Sequence, residues 1–183
     1  MSTLLYSATM SLDGFIAGPG GDMSWLAGDF GPNPIVSELL ESVGALLIGN
    51  RTFHGDDPNR GTEKEGAYGG AWKGPQFVLT HNIPDTPVPG ITFVDNLEDA
   101  VAASKEAAGG KYVNILGADV ARQCLEAGLL DEILVVVAPL LLGAGTRLFD
   151  RPGGTNVRLE RIRQDEAPKT TNLWYRVAGR SAR

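Results

Sequence analysis

Three apolar segments of this chain each run into a polar turn of the kind that receives phosphate groups. Ala45-Leu46-Leu47-Ile48 leads into Gly49-Asn50-Arg51-Thr52, Phe77-Val78-Leu79 into Thr80-His81-Asn82, and Tyr112-Val113-Asn114-Ile115-Leu116 into Gly117-Ala118-Asp119. Strands that alternate with helical patterns predict an α/β sheet. In such sheets ligands bind at the carboxyl ends of the strands, where loops and helix starts offer unpaired backbone N–H groups to anions. Three such edges within one chain of this size predict a phosphorylated cofactor.

Size and charge narrow the possibilities. A chain of 183 residues, 43% hydrophobic and 21% charged, suits one domain over 1–183, with a core spanning about 4–178. A formal charge of −6 and a pI near 4.9 argue against nucleic acid or an anionic membrane surface as partner, since both reward a basic stripe. The longest apolar runs are broken by Pro139 and Gly143 and fall well short of the roughly 20 residues that span a bilayer. Met1-Ser2-Thr3 enters a strand pattern with no basic stretch ahead of it, so no export leader is expected. The one cysteine, Cys124, has no internal partner and fits a reducing cytoplasm. With His54 and His81 the only histidines, no zinc site is expected.

Along the chain, Leu4–Met10 reads as a buried first strand, followed by a loop around Gly18-Pro19-Gly20-Gly21 that carries Trp25 and Leu26. Asn33-Pro34 opens a helix in cap-then-proline order, with Ile35, Val36, Leu39, Leu40 and Val43 inward and Gly44 as its stop. The stretch from Gly55 to Pro75 has no period and is long enough to suggest a functional loop. A short strand at 91–94 precedes a helix capped by Asn96, with Leu97, Ala100, Val101 and Ala108 inward. A helix over about 119–127 buries Val120, Cys124 and Leu125 and stops at Gly128, and a strand covers 132–138. Residues 157–162 and 173–177 alternate apolar and polar, as antiparallel half-exposed strands do. The prediction is a mostly parallel sheet flanked by helices, with an antiparallel C-terminal edge. Trp174 and Tyr175 alternate across their strand, which leaves one of them off the main core and suggests a homodimer contact.

The residues alone leave two readings at most of these positions. Gly49-Asn50-Arg51-Thr52 combines a sharp turn, a helix start and a fixed cation suited to phosphate; it is also an ordinary strand-to-helix turn. Gly117-Ala118-Asp119 lacks the GxGxxG spacing of a Rossmann dinucleotide site. Asp13 is a candidate proton donor or a turn residue that accepts backbone hydrogen bonds. Asp22 and Trp25 either line a substrate pocket or pack the loop that carries them. His54 reads as a loop residue and Cys124 as core. Arg147 touches a ligand phosphate or solvates a turn.

Several blocks taken together resemble the dihydrofolate reductase superfamily, and within it the reductase domain of the riboflavin-biosynthesis deaminase–reductases. They are Ser11-Leu12-Asp13-Gly14-Phe15-Ile16-Ala17, Ile48-Gly49-Asn50-Arg51-Thr52-Phe53, Gly128-Leu129-Leu130-Asp131-Glu132 and Ala138-Pro139-Leu140-Leu141-Leu142-Gly143-Ala144-Gly145. The resemblance implies a dihydrofolate-reductase-like fold with NADPH across the carboxyl strand ends, giving a hydride to a small planar heterocycle, pterin- or pyrimidine-like. It places Gly49, Asn50, Arg51 and Thr52 on the adenosine and phosphate half, Thr80 and His81 near the 2′-phosphate or adenine, and Gly117, Ala118, Asp119 and Val120 at the pyrophosphate. Ala8, Ile16 and Ala17 would face the nicotinamide. The run Thr52-Phe53-His54-Gly55-Asp56-Asp57-Pro58 resembles the Thr-x-x-x-Asp-Asp-Pro run of the riboflavin reductases and puts Asp56 at the cofactor.

Three positions depart from the family pattern. Asn50 stands where dihydrofolate reductases carry the arginine that reads the 2′-phosphate, Leu116 where the riboflavin reductases carry a substrate-binding Glu, and Glu63 where a substrate-binding Arg is expected. Lost polar contacts of this kind cost roughly 1–3 kcal/mol each, so a different or broader substrate is expected. A nucleotide-binding module without turnover is the alternative, and a flavin reductase a third option.

Overall fold

The computed structural model describes residues 1–28 and 30–178. The chain lays down β1 (Leu4–Ser11), β2 (Phe15–Ala17), α1 (Pro34–Ser42), β3 (Val43–Gly49), α2 (Asn50–Phe53), β4 (Gln76–Leu79) and β5 (Ile91–Val94). It continues through α3 (Leu97–Ala107), β6 (Tyr112–Leu116), α4 (Ala118–Glu126), β7 (Glu132–Ala138), β8 (Thr146–Arg147), β9 (Leu159–Glu166) and β10 (Thr171–Val177). Eight strands form one sheet in the order β5-β4-β3-β6-β1-β7-β10-β9. From β5 to β7 every neighbouring pair is parallel, and β10 runs antiparallel to both β7 and β9. The predicted architecture is the observed one. A separate ribbon of β2 and β8 is new, and it is too short to show as alternation.

Strand alternation sorts the core into two layers. Leu4 and Tyr6 of β1 pack with Ala100 and Val101 of α3 and with Val120 and Cys124 of α4. Leu5, between them in sequence, joins Leu46, Ile48, Val78 and Leu134 on the other face against Ile35 and Leu39 of α1. Asn33 caps α1 by accepting from the Ile35 amide at 3.3 Å. Its amide also exchanges hydrogen bonds with that of Asn172, at 2.8 and 3.0 Å, so one residue both starts the helix and fixes it to β10.

The expected end of this helix is corrected. Val43 and Gly44 belong to β3, and Val36 is 45% exposed. Gly44 is required by packing: a Cβ there would overlap the backbone of Ala108, at the end of α3. The tail strands are the predicted antiparallel ones with longer bounds, Leu159–Glu166 and Thr171–Val177, paired through a register shift at Trp174/Tyr175. Trp174 and Tyr175 are each half-buried. The Trp174 indole packs on the α1-side core and donates to Glu132 Oε2 at 2.8 Å, whereas Tyr175 joins neither core cluster, as the alternation of the two rings predicts. The 55–75 segment contains no helix or strand. Among the described residues no helix is long and apolar enough to cross a membrane.

Gly44→Ala should destabilise the protein by about 1–3 kcal/mol, the usual cost of forcing extra volume into a packed contact. Urea unfolding measures this, and an unchanged midpoint would show that α3 can withdraw from β3 at no cost.

Candidate functional site

Because β1, β3, β4 and β6 are parallel, their carboxyl ends lie along one edge, where the turns that follow them border a cleft of about 1810 Å³. Gly49 ends β3 and Gly117 follows β6, side by side. A Cβ on Gly117 would stand 2.5 Å from Thr52 Oγ1, and one on Gly49 would stand 3.1 Å from Val120 Cγ2. Gly117 has φ 117°, open to glycine and strained for other residues. The chain turns here directly into α4, and the first amides of that helix, which have no intrahelical acceptor, border the cleft. Thr80 is buried, its hydroxyl accepting from the Asn82 amide at 3.1 Å. Arg51 and His81 stand exposed on the rim.

The other half of the cleft is largely apolar. Ala8 and Thr9 of β1, Ile35, Val36 and Leu39 of α1, and Leu134 and Val136 of β7 form its walls. The 55–75 segment borders it, and Asp57 accepts from the amides of Asn59 and Gly66 at 2.8 and 2.7 Å, which folds the segment on itself. Met23 of the Gly-rich loop donates to Asp56 Oδ2 at 3.3 Å, so two loops remote in sequence meet at the cleft.

Every residue expected to touch a cofactor borders this cleft: Ala8, Ile16, Ala17, Gly49, Asn50, Arg51, Thr52, Asp56, Thr80, His81, Gly117, Ala118, Asp119 and Val120. Asp119 is partly drawn away from it. Burial pushes its carboxyl up, and hydrogen bonds from Arg122 and Gln123 outweigh that and leave it lowered. Leu116 lines the cleft, as does Arg60 of the 55–75 segment, whereas Glu63 does not.

The expected proton donor and substrate contacts are placed otherwise. Asp13 borders none of the cleft; its carboxylate accepts from Ser11 Oγ at 2.6 Å and from the amides of Leu142 and Gly143 at 3.0 and 2.7 Å. The Ser11 hydroxyl and these amides lower its pKa from 3.8 to about 2. Asp13 is therefore an ionised clamp between two loops, with no proton to give near neutrality. Asp22 Oδ1 accepts from the Ser24 amide at 2.9 Å, as a local turn residue does. Trp25 packs edge-on against Phe30 at 6.1 Å, and the short helical turn Ser24–Ala27 presents Leu26 and Ala27 to the cleft in its stead. His54 bonds the Asn50 carbonyl at 3.2 Å, while burial pushes the Cys124 thiol up to about 12. Arg147 stacks on the Phe15 ring at 4.8 Å and reaches the cleft from β8.

Among the cleft residues that were not anticipated are Ser7, Tyr68 and Asn114. Asn114 had a visible signal, a lone amide in the apolar strand Tyr-Val-Asn-Ile-Leu. Tyr68 had none, since the 55–75 segment has no period from which to read a direction.

The family model of the RibD C-terminal domain matches residues 2–169. YyaP, an uncharacterized protein of Bacillus subtilis (strain 168), is 26% identical over 158 residues, 80% of this chain and 79% of its own. The structure of a proposed riboflavin biosynthesis protein from Shewanella sp. PV-4 superimposes with a TM-score of 0.73 at 24% identity, over 96% of this chain and 98% of that one. Dihydrofolate reductase from Enterococcus faecalis, complexed with NADP(H), superimposes with a TM-score of 0.62 at 16% identity, over 96% of each chain. These likenesses to solved structures establish the dihydrofolate-reductase-like fold.

The Asp13 carboxyl lies lower in the folded chain than in the unfolded one. Its stabilising effect is complete above about 3.8 and is lost as pH falls towards about 2. Thermal melts between pH 2 and 6 should show that component of the acid dependence absent in Asp13→Asn; identical acid profiles for the two proteins would remove the clamp.

Proposed function

The chain belongs to the family of the RibD C-terminal domain, and on that footing we propose that it is an NADPH-dependent oxidoreductase that reduces a small planar heterocycle, pterin- or pyrimidine-like. The observation that carries the reading is one cleft with two unlike halves: a glycine-bounded cradle of backbone amides at β3 and β6, and an apolar slot between β1 and α1. The cradle fits a dinucleotide, because no side chain can stand at Gly117 without meeting Thr52, and the amides at the start of α4 are left open to an anion.

In this reading Gly117, Ala118, Asp119 and Val120 hold the pyrophosphate. Gly49, Asn50, Arg51 and Thr52, with Thr80 and His81, hold the adenosine and its 2′-phosphate. Ala8, Ile16 and Ala17 border the nicotinamide, and Asp56 keeps the Gly-rich loop against the same cleft. Bound there, NADPH supplies a hydride to a C=N or C=O carbon. The chain's part is to orient the two rings, with Ile35, Val36 and Leu39 as an apolar wall. The accompanying proton comes from solvent through the open cleft, since Asp13 is ionised and turned away. A buried free thiol and an acidic chain suit a single cytoplasmic domain acting on a small molecule.

Binding without turnover is favoured by one observation, that Asp13 does not border the cleft and its carboxylate is held by Ser11, Leu142 and Gly143. The two readings separate in one assay: NADPH oxidation followed at 340 nm with a pterin, pyrimidine and quinone panel. Turnover with any member supports the enzyme, and NADPH binding with none turned over supports the binding module. Arg51→Ala should weaken NADPH by roughly 10-fold or more and NADH much less, because only NADPH carries the phosphate that this cation meets. Equal weakening of the two in a titration would take the 2′-phosphate away from Arg51.

A further inference from the structure

We infer that Tyr68 is the hydrogen-bond donor that the apolar half of the cleft presents to its ligand, a neutral phenol aimed by Asn114 and Ser7 at a carbonyl oxygen or imine nitrogen of a planar heterocycle. The inference rests on the reductase reading and names what selects the substrate.

Tyr68 is the one non-glycine among the described residues with a positive φ, 55°. A bulky residue stays in that region only where its surroundings fix it. Here they do so through its side chain. Asn114 Nδ2 donates to Tyr68 Oη at 2.7 Å, and the Ser7 side chain acts on the same phenol, favouring its charged form slightly. The ring also packs against Trp72, 6.3 Å between centroids. Asn114 is wholly buried in the middle of β6, level with Leu5 of β1 and Leu46 of β3. Its own Oδ1 has no partner among the described residues. A buried amide that leaves its acceptor unpaired and commits its donor to one phenol oxygen serves to orient that phenol.

With Asn114 donating to Oη, the Tyr68 proton is directed to another acceptor, and Ser7, Tyr68 and Asn114 all border the cleft. Burial pushes the phenol up to about 12, so it keeps that proton throughout the physiological range. The helix that walls this half supplies Ile35, Val36 and Leu39, while its Glu38 is paired with Arg163 away from the cleft. A neutral phenol donor in a largely apolar wall suits a neutral acceptor such as a carbonyl oxygen or imine nitrogen. Tyr68 touches the ligand and polarises the bond that is to be reduced, without giving up its proton; Asn114 and Ser7 are positioning residues.

The test uses lumazine, a planar ring with carbonyl and imine acceptors, and naphthalene, a ring of similar size with none. Both are titrated by fluorescence into the full chain with and without NADPH. Tyr68→Phe should weaken lumazine about 10-fold while naphthalene and NADPH bind as before. Asn114→Asp turns a donor to Oη into an acceptor that takes the phenol proton. It should weaken lumazine to a similar extent, and the double variant should be no weaker than either single one, a non-additivity that a merely structural loss does not produce. Unchanged lumazine affinity in Tyr68→Phe overturns the proposal, since the phenol would then be giving its proton to Asn114 Oδ1. Wild-type protein that binds NADPH but not lumazine overturns it also, leaving the reductase reading intact. A lumazine loss in Tyr68→Phe without any NADPH binding would sustain Tyr68 as donor and withdraw the reductase.

Discussion

The close approach of β3 and β6 at their carboxyl ends is the constraint from which the cleft follows. Two parallel strands that carry α2 and α4 directly off their ends must bring two helix starts together, and side chains there would collide. Gly49 and Gly117 remove those side chains, and Thr52 and Val120 fill the space up to contact distance. The cost is a backbone at φ 117° that a β-carbon would strain. The result is a surface of amides on which an anion can lie, built from packing geometry with no need of a long glycine fingerprint.

The opposite half is built on a different principle. Alternation along β1 sends Leu4 and Tyr6 to one core layer and Leu5 to the other, and Ser7 continues the second series to the cleft. Asn114 in β6 lies level with Leu5, which puts a buried amide beneath a pocket otherwise walled by Ile35, Leu39 and Leu134. Polar groups buried in this way are costly unless partnered. The partner comes from the 55–75 segment, whose own order depends on Asp57 gathering the amides of Asn59 and Gly66. Chemistry on the strands and geometry in the loop are thus coupled through one phenol.

Asp13 shows how local sequence and tertiary placement divide. Ser-Leu-Asp-Gly is compatible with an acid and with a turn, and nothing within the block distinguishes them. The distinction comes from Leu142 and Gly143, more than a hundred residues away, whose amides meet the carboxylate and hold it ionised. Trp25 follows the same pattern: its indole was legible as a pocket or a packing residue, and Phe30 decides for packing. Gly44 read as a helix stop, since a glycine after an amphipathic run usually is one. It proved to be a clearance for Ala108, which no local signal reveals.

The elements of the main sheet and their order, its parallel run with an antiparallel edge, the Asn33 and Asn96 caps and the strand-end turns around the cleft were determined by sequence, because period, capping and turn chemistry act over a few neighbouring residues. Resemblance then gathered those turns into one cofactor-sized site. Which side chains face into that site was decided only by the tertiary structure. The directions of Asp13, Trp25 and Tyr68 depend on loops that have no period of their own, and their positions are set by partners across the fold. A strand fixes where its residues point by alternation alone, whereas an irregular loop takes its directions from what it packs against.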